Sequence, residues 1–234
     1  MNAASLLALQ DIDSALDAIA HRRPRLPEGI HHQQVSAELA ALRQRMADAQ
    51  ARIDAAQAAI EAAEHAAATL TTKRARLESQ LKTVIAPREA EALLHQIDTI
   101  NAQRSELDDQ ELAALDEQGE GEAALAALHV ELPAHEAGVA EATAALQAVH
   151  EQLDAEVAEL QSQRAAATGS LAESDVALYE RVRKQFHGVG VARLEGGHCS
   201  GCHMELSARE LDIVKAVPVG EPAECPQCGR IIVR

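Results

Sequence analysis

Four cysteines carry the chemistry that can be read directly from this 234-residue chain. They stand as Cys199-Ser-Gly-Cys202 and Cys225-Pro-Gln-Cys228, a C-x2-C-x22-C-x2-C arrangement confined to the last 36 residues. Two residues between thiols let one tight turn present both sulfurs to a single ion. Small residues at Gly201 and Gly229 let backbone N–H groups point at those sulfurs. Two such turns build a tetrahedral all-sulfur site, the donor set that favours Zn²⁺. A catalytic zinc needs an open coordination position, and four thiolates leave none. Redox chemistry would need one pair to act without the other. The expected centre is one structural zinc per chain on Cys199, Cys202, Cys225 and Cys228, with no catalytic residue. His198 and His203 flank the first pair as weaker competitors.

The elements that must hold this site are short. Residues 189–194 and 231–233 read as strands. Ser207-Ala-Arg-Glu210 is a capping box that starts a helix, with Leu206 and Leu211 as its hydrophobic staple and Pro218 beyond its end. That helix accounts for a spacing slightly above the usual 15–20 residues. A module of this size has too little apolar surface to fold unaided, so the metal supplies the missing folding energy.

The rest of the chain is poor in the residues that fill a thick core. It has 50 Ala, no Trp, and a single Tyr (Tyr179) and Phe (Phe186). Thin helix-on-helix packing suits such a composition, and a deep aromatic-lined pocket for a small-molecule substrate does not. From Val35 apolar residues recur at alternating steps of four and three through Leu39, Leu42, Met46, Ala49, Ile53, Ala56, Ile60, Ala63, Ala67 and Leu70 to Leu77, Leu81 and Val84. Only Arg74 breaks the set, so the spacing predicts a long coiled-coil helix. Pro87 starts a return arm with Leu93, Leu94, Ile97, Ile100 and Leu107, then Leu125, Leu132, Val139, Leu146, Leu153 and Leu160 at sevens. Gly119 and Gly121 predict a stutter between these two sets, and Pro133 a kink. A first helix over 5–22, broken at Pro24 and Pro27, completes two arms of about 80 residues each. The fold expected is mainly α: a long antiparallel coiled-coil hairpin with a small C-terminal zinc ribbon of short strands and one short helix. The expected division is a rod at 1–170, a connecting helix at 171–187 and the ribbon at 188–234. Tyr179 and Phe186 are expected to form the packing platform between rod base and ribbon. A parallel homodimeric coil is the competing arrangement.

The net charge of −16 is uneven, with 16 basic against 31 acidic side chains in residues 1–187. Such a body repels nucleic acid and anionic membrane along most of its length. The acidic, leaderless N-terminus and the lack of a long apolar run predict a cytoplasmic protein without membrane attachment. A basic cluster at Arg181, Arg183, Lys184 and Arg193, with Arg230 and Arg234 beside the second cysteine pair, is the candidate contact surface. It could meet the acidic face of a protein, the preferred reading, or the phosphates of DNA or RNA.

The chain resembles the bacterial C4-type zinc-ribbon proteins with an N-terminal coiled-coil hairpin. The resemblance rests on Leu9-Gln10-Asp11-Ile12-Asp13, Pro87-Arg-Glu-Ala-Glu-Ala-Leu93, Leu178-Tyr179-Glu-Arg181 and the two cysteine segments with their flanks. It implies a non-enzymatic rod with a zinc ribbon at its base. Some members are implicated in binding the nitrogen-type alternative sigma factor, or RNA, in control of transcription and motility. The function expected is therefore an interaction adaptor connected with transcription or RNA.

Overall fold

The computed structural model describes residues 3–218 and 221–234. Met1 and Asn2, part of the N-terminal segment read from the sequence, lie outside the described residues. The elements run in the order α1 (Ala3–Arg22), a 3-10 turn (Arg23–Arg25), α2 (Pro27–Leu81), α3 (Pro87–Gly169), α4 (Glu173–Gln185), β1 (Val191–Glu195), β2 (His198–Cys199), α5 (Ala208–Ala216), β3 (Ala223–Glu224) and β4 (Ile231–Val233). α2 and α3 form the expected antiparallel hairpin, and the small sheet with α5 forms the ribbon. Two compact units result: residues up to 32 together with 142–234, and residues 33–141.

In the 33–141 unit the predicted seam of α2 is the observed one. Leu39, Leu42, Ala49, Ala56, Ile60 and Ala63 are buried, and Met46, Ile53, Ala67, Leu70, Arg74, Leu77 and Leu81 are half-buried, while the positions between are largely exposed. Cross-helix contacts fix the antiparallel register. Arg43 meets Glu136 at 2.9 Å, Arg52 meets Glu117 at 2.7 Å, and Arg74 donates to Asn101 at 3.3 Å. Leu42, Ala49 and Leu128 make the main apolar cluster, with Met46, Leu125 and Leu132 packed against it.

α3 is the expected return helix, but the expected stutter is absent. It runs unbroken for 83 residues through Gly119, Gly121 and Pro133. Its protected positions keep steps of four and three without a stutter, through Ile100, Arg104, Leu107, Glu111, Ala114, Gln118, Gly121, Leu125 and Leu128. Polar side chains thus occupy three seam positions, while Leu112 and Leu115 face outward at 61% and 45% exposure. Counting only apolar residues hid the continuity. Gly121 is a site of close approach, since a Cβ there would lie 2.8 Å from Ile53 Cγ1. Pro133 is exposed, so water can take the carbonyl that its missing N–H leaves unbonded.

The other unit is built around α1. Ala3, Leu6 and Leu9 pack with Tyr179, Val182, Val191, Ile231 and Val233, and Ala167, Leu178 and Phe186 join the margin. Ala167 therefore returns beside α1, as the matched arm lengths require. Ile19 and Leu26 meet Leu153 further along. The sheet order is β2-β1-β4-β3, with β1 and β4 parallel and the outer pairs antiparallel.

Candidate metal centre

The sheet and α5 bring the cysteines together. Cys199 ends β2, Cys225 follows β3, and both are buried beside Ala192, Leu206, Val214 and Ile232. The two cysteine turns close alike. The His203 N–H donates to the Cys199 carbonyl at 2.7 Å, and the Gly229 N–H donates to the Cys225 carbonyl at 2.8 Å. His203 and Gly229 take the left-handed conformation, at φ 59° and 78°. Gly201 is needed for space, because a Cβ there would come within 2.7 Å of Arg230 Cδ and 2.9 Å of Ala192 Cβ. The expected capping box is complete: the Ser207 N–H donates to Glu210 at 2.8 Å, and the Glu210 N–H returns to Ser207 Oγ at 3.4 Å. α5 ends with Val217 as its C-cap, just before Pro218.

The four sulfurs lie within 4.8 Å of one another, and among the described residues no other cluster of metal-ligating side chains occurs. Zn–S bonds of about 2.3 Å in a tetrahedron put sulfurs about 3.8 Å apart, so small shifts suffice to close the shell. His198 and His203 stand outside the cluster. Burial pushes the Cys225 thiol up to about 12, against the N–H groups of Cys228 and Gln227 that favour its thiolate. Cys202 is raised by burial too, opposed by the Met204 N–H. At Cys228 burial is outweighed by the Arg230 N–H and side chain and by Cys225 and Cys202, and the thiol is lowered. Four closely packed thiolates are untenable in such a pocket without a cation, and a divalent metal is what makes their deprotonated form stable.

Residues 9–187 match the CT398-like coiled coil hairpin domain, and residues 198–232 match the C4-type zinc ribbon domain. The chain belongs to this hairpin family. Two uncharacterized proteins from Mycobacterium tuberculosis strains are each 31% identical over 231 residues, covering 98% of this chain and 94% of theirs. The fold is shared with CT398 from Chlamydia trachomatis, at TM-score 0.85 and 21% identity over 99% of this chain and 96% of that one. It is also shared with a Mycobacterium smegmatis protein, at TM-score 0.81 and 22% identity over the whole of both chains. The HP0958 protein from Helicobacter pylori is more distant, at TM-score 0.61 and 14% identity over 98% and 95%. A C4 ribbon with its four thiols gathered holds one structural zinc. A coiled-coil hairpin joined to such a ribbon has the make-up of a structural or interaction protein, and among the described residues no helix is long and apolar enough to cross a membrane.

Gln10, Asp13 and Arg164, to which sequence reasoning gave no site role, form a polar clamp around α1 with Tyr179 and Arg183. Asp13 is 1% exposed. It accepts from Arg164 Nε at 2.6 Å and Nη2 at 3.3 Å and from the Tyr179 hydroxyl at 2.7 Å, while Arg183 Nε approaches at 3.5 Å. Arg164 also pairs with Glu180, and Arg183 with Asp17 at 2.8 Å. Burial and the Asp13 carboxylate together push the Tyr179 phenol upward, so it stays a donor. One turn earlier, Gln10 Oε1 accepts from the N–H groups of Gly190 and Val191 at 2.7 and 3.1 Å, and its amide donates to the Gly188 carbonyl at 2.9 Å. Gln10 thus supplies backbone partners to the chain leading into β1, as a neighbouring strand would. The Leu9–Asp13 segment carried the resemblance, and its polar residues at helical spacing were the available signal.

The basic cluster is largely engaged within the chain. Arg183 holds Asp13 and Asp17, and Arg193 pairs with Asp11 at 2.9 Å. Arg230 lies 4.5 Å over the Phe186 ring and donates to the Val189 carbonyl at 2.9 Å. Arg234 donates to the carbonyls of Lys215 and Val217. Arg181 and Lys184 are exposed, so the six residues do not form one open surface.

Proposed function

We propose that this protein is a cytoplasmic, non-enzymatic adaptor that binds a protein partner in transcription or RNA control. In this reading Cys199, Cys202, Cys225 and Cys228 hold the zinc. A rod at 1–170 is linked by residues 171–187 to the ribbon at 188–234. The observation that carries the choice of a protein partner is the engagement of Arg183, Arg193, Arg230 and Arg234 by groups of their own chain. Phosphate binding would have to compete with those contacts, and residues 188–234 contain no aromatic for base stacking. A transcription component such as a sigma factor is the partner class that the family resemblance favours. Direct nucleic-acid binding is the second reading, favoured by the exposure of Arg181 and Lys184 on α4.

A titration with single-stranded RNA and duplex DNA from about 50 to 200 mM salt separates the two, because phosphate contacts lose affinity steeply over that range. Weak, salt-insensitive binding that survives Arg181→Glu and Lys184→Glu is the expected result. Tight binding that disappears with salt and with those substitutions refutes the protein-partner reading. Affinity capture from native lysate with and without nuclease then asks for the partner directly.

A further inference from the structure

Three surface features of the 33–141 unit are only partly answered by other groups among its described residues. The α2–α3 turn is cationic. Residues 73–88 carry five Lys or Arg against Glu78 alone. Arg43, Arg45 and Arg52 pair across to α3, whereas Lys82 and Arg88 make no ion pair among the described residues. Further from the turn the sign reverses, and residues 105–128 carry eight carboxylates and no cation. Finally, Leu94, Leu112 and Leu115 are 49%, 61% and 45% exposed. By heptad position they share the flank of α3 that also bears Asn101, Asp108 and Glu122. On this flank the adjoining seam position is filled by Arg104, whose buried Nε finds no acceptor among the described residues.

We propose that this flank seats a second copy of the chain, antiparallel to the first and overlapping it at the turn. At 1.5 Å per residue, Leu94 lies about 10 Å and Leu115 about 42 Å along α3 from Pro87. An overlap of about 52 Å sets Leu94 level with Leu115 of the second copy, and the two-fold axis makes the contact twice. The same overlap brings Lys82 and Arg88 level with Glu122 of the second copy, and the axis falls beside Arg104, within a turn of Asp108 of that copy. One register therefore matches the apolar and the charged sets together. Parallel pairing in register would instead stack cation on cation and carboxylate on carboxylate. Small exposed residues on the flank (Ala68, Thr71 and Ala75 of α2, Ser105 and Gly119 of α3) let the helices approach. A face two helices wide over that length covers about 1,000 Å² per copy, above the roughly 800 Å² of a stable standard interface. Few large side chains lie within it, so a dissociation constant of about 10 µM is expected.

The full chain with zinc bound is examined by sedimentation velocity over about 1–200 µM protein, with helicity checked by circular dichroism. A dimer is expected that loosens with salt, and Leu115→Glu weakens it by more than about tenfold while leaving the hairpin helical. Lys82→Glu is expected to weaken it by about tenfold, and adding Glu122→Lys to restore it. A wild-type monomer at the highest concentration overturns the proposal. So does a dimer indifferent to Leu115→Glu, or a folded double variant that stays weak.

Discussion

Replacing Asp13 by Asn keeps the shape of the buried side chain and removes its charge. The Arg164 and Arg183 guanidiniums then lose the carboxylate they share, and the Tyr179 hydroxyl loses an ionised acceptor for a neutral one. Removing one partner of a buried ion pair typically costs about 3–5 kcal/mol. That figure must be discounted here, because Arg164 and Arg183 are 29% and 22% exposed and retain Glu180 and Asp17. The Tyr179 bond to a charged acceptor is worth about 1.5–3 kcal/mol, part of which Asn retains. The expected loss is about 2–3 kcal/mol. It falls on the unit containing α1, so global melting is a blunt readout. Hydrogen exchange resolves it: the Gly190 and Val191 amides, held by Gln10 one turn from Asp13, should exchange about 30–150-fold faster on that loss. Amides in 33–141 should be unchanged. A double-mutant cycle with Tyr179→Phe should show coupling of about 1 kcal/mol. If the variant leaves Gly190 and Val191 protected as in the wild type, the clamp does not hold α1 in place.

Zinc removal by a chelator, or Cys225→Ser, should abolish the one-to-one metal content and expose the β1 and β4 amides, with the helical signal of α2 and α3 retained; metal analysis and exchange check both. Metal affinity should fall with acid, because each ligand must shed its proton to bind. The two neighbouring glycines of α3 should respond with opposite sign. Gly119→Ala meets nothing within 4 Å and should stabilise the hairpin by about 1 kcal/mol. Gly121→Val, pressed against Ile53, should destabilise it by about 1–3 kcal/mol in chemical unfolding. Glu210 is held below the ordinary glutamate range by the Ser207 hydroxyl and then the Ser207 N–H. A depressed carboxyl stabilises α5 above its unfolded pKa and loses that effect as pH falls through the folded one, so α5 amides should lose protection in acid in the wild type more than in Glu210→Gln.

Where the sequence is periodic, it was legible. The α2 seam, the turn before Pro87, the cysteine turns and the Ser207 cap could all be read because each is a local pattern with one physical solution. Two things were not. The α3 seam admits Arg104, Glu111 and Gln118, each half-buried, so an apolar count shows a gap where the helix is continuous. The clamp joins Gln10 and Asp13 to groups more than 150 residues away, and nothing in the spacing of α1 says which distant side chains converge on it. The engagement of part of the basic cluster was hidden for the same reason. Arg183 and Arg193 look free in one dimension, and Asp11, Asp13 and Asp17 of α1 engage them in three.

The clamp sets an order of events during synthesis. Gln10 and Asp13 leave the ribosome early, but Arg164 follows Asp13 by 151 residues and Gly190 follows Gln10 by 180. At about 5–20 residues per second, α1 waits roughly 10–40 s for the groups it binds. Over that interval Leu6 and Leu9 have no core and Asp13 no counter-charge, while the hairpin of 33–141 can already close on itself. The unit that contains α1 is completed after the hairpin, and metal capture waits for Cys225 and Cys228. A nascent chain stalled within α3 before Leu153 would carry a finished coiled coil and an unoccupied, sticky first helix.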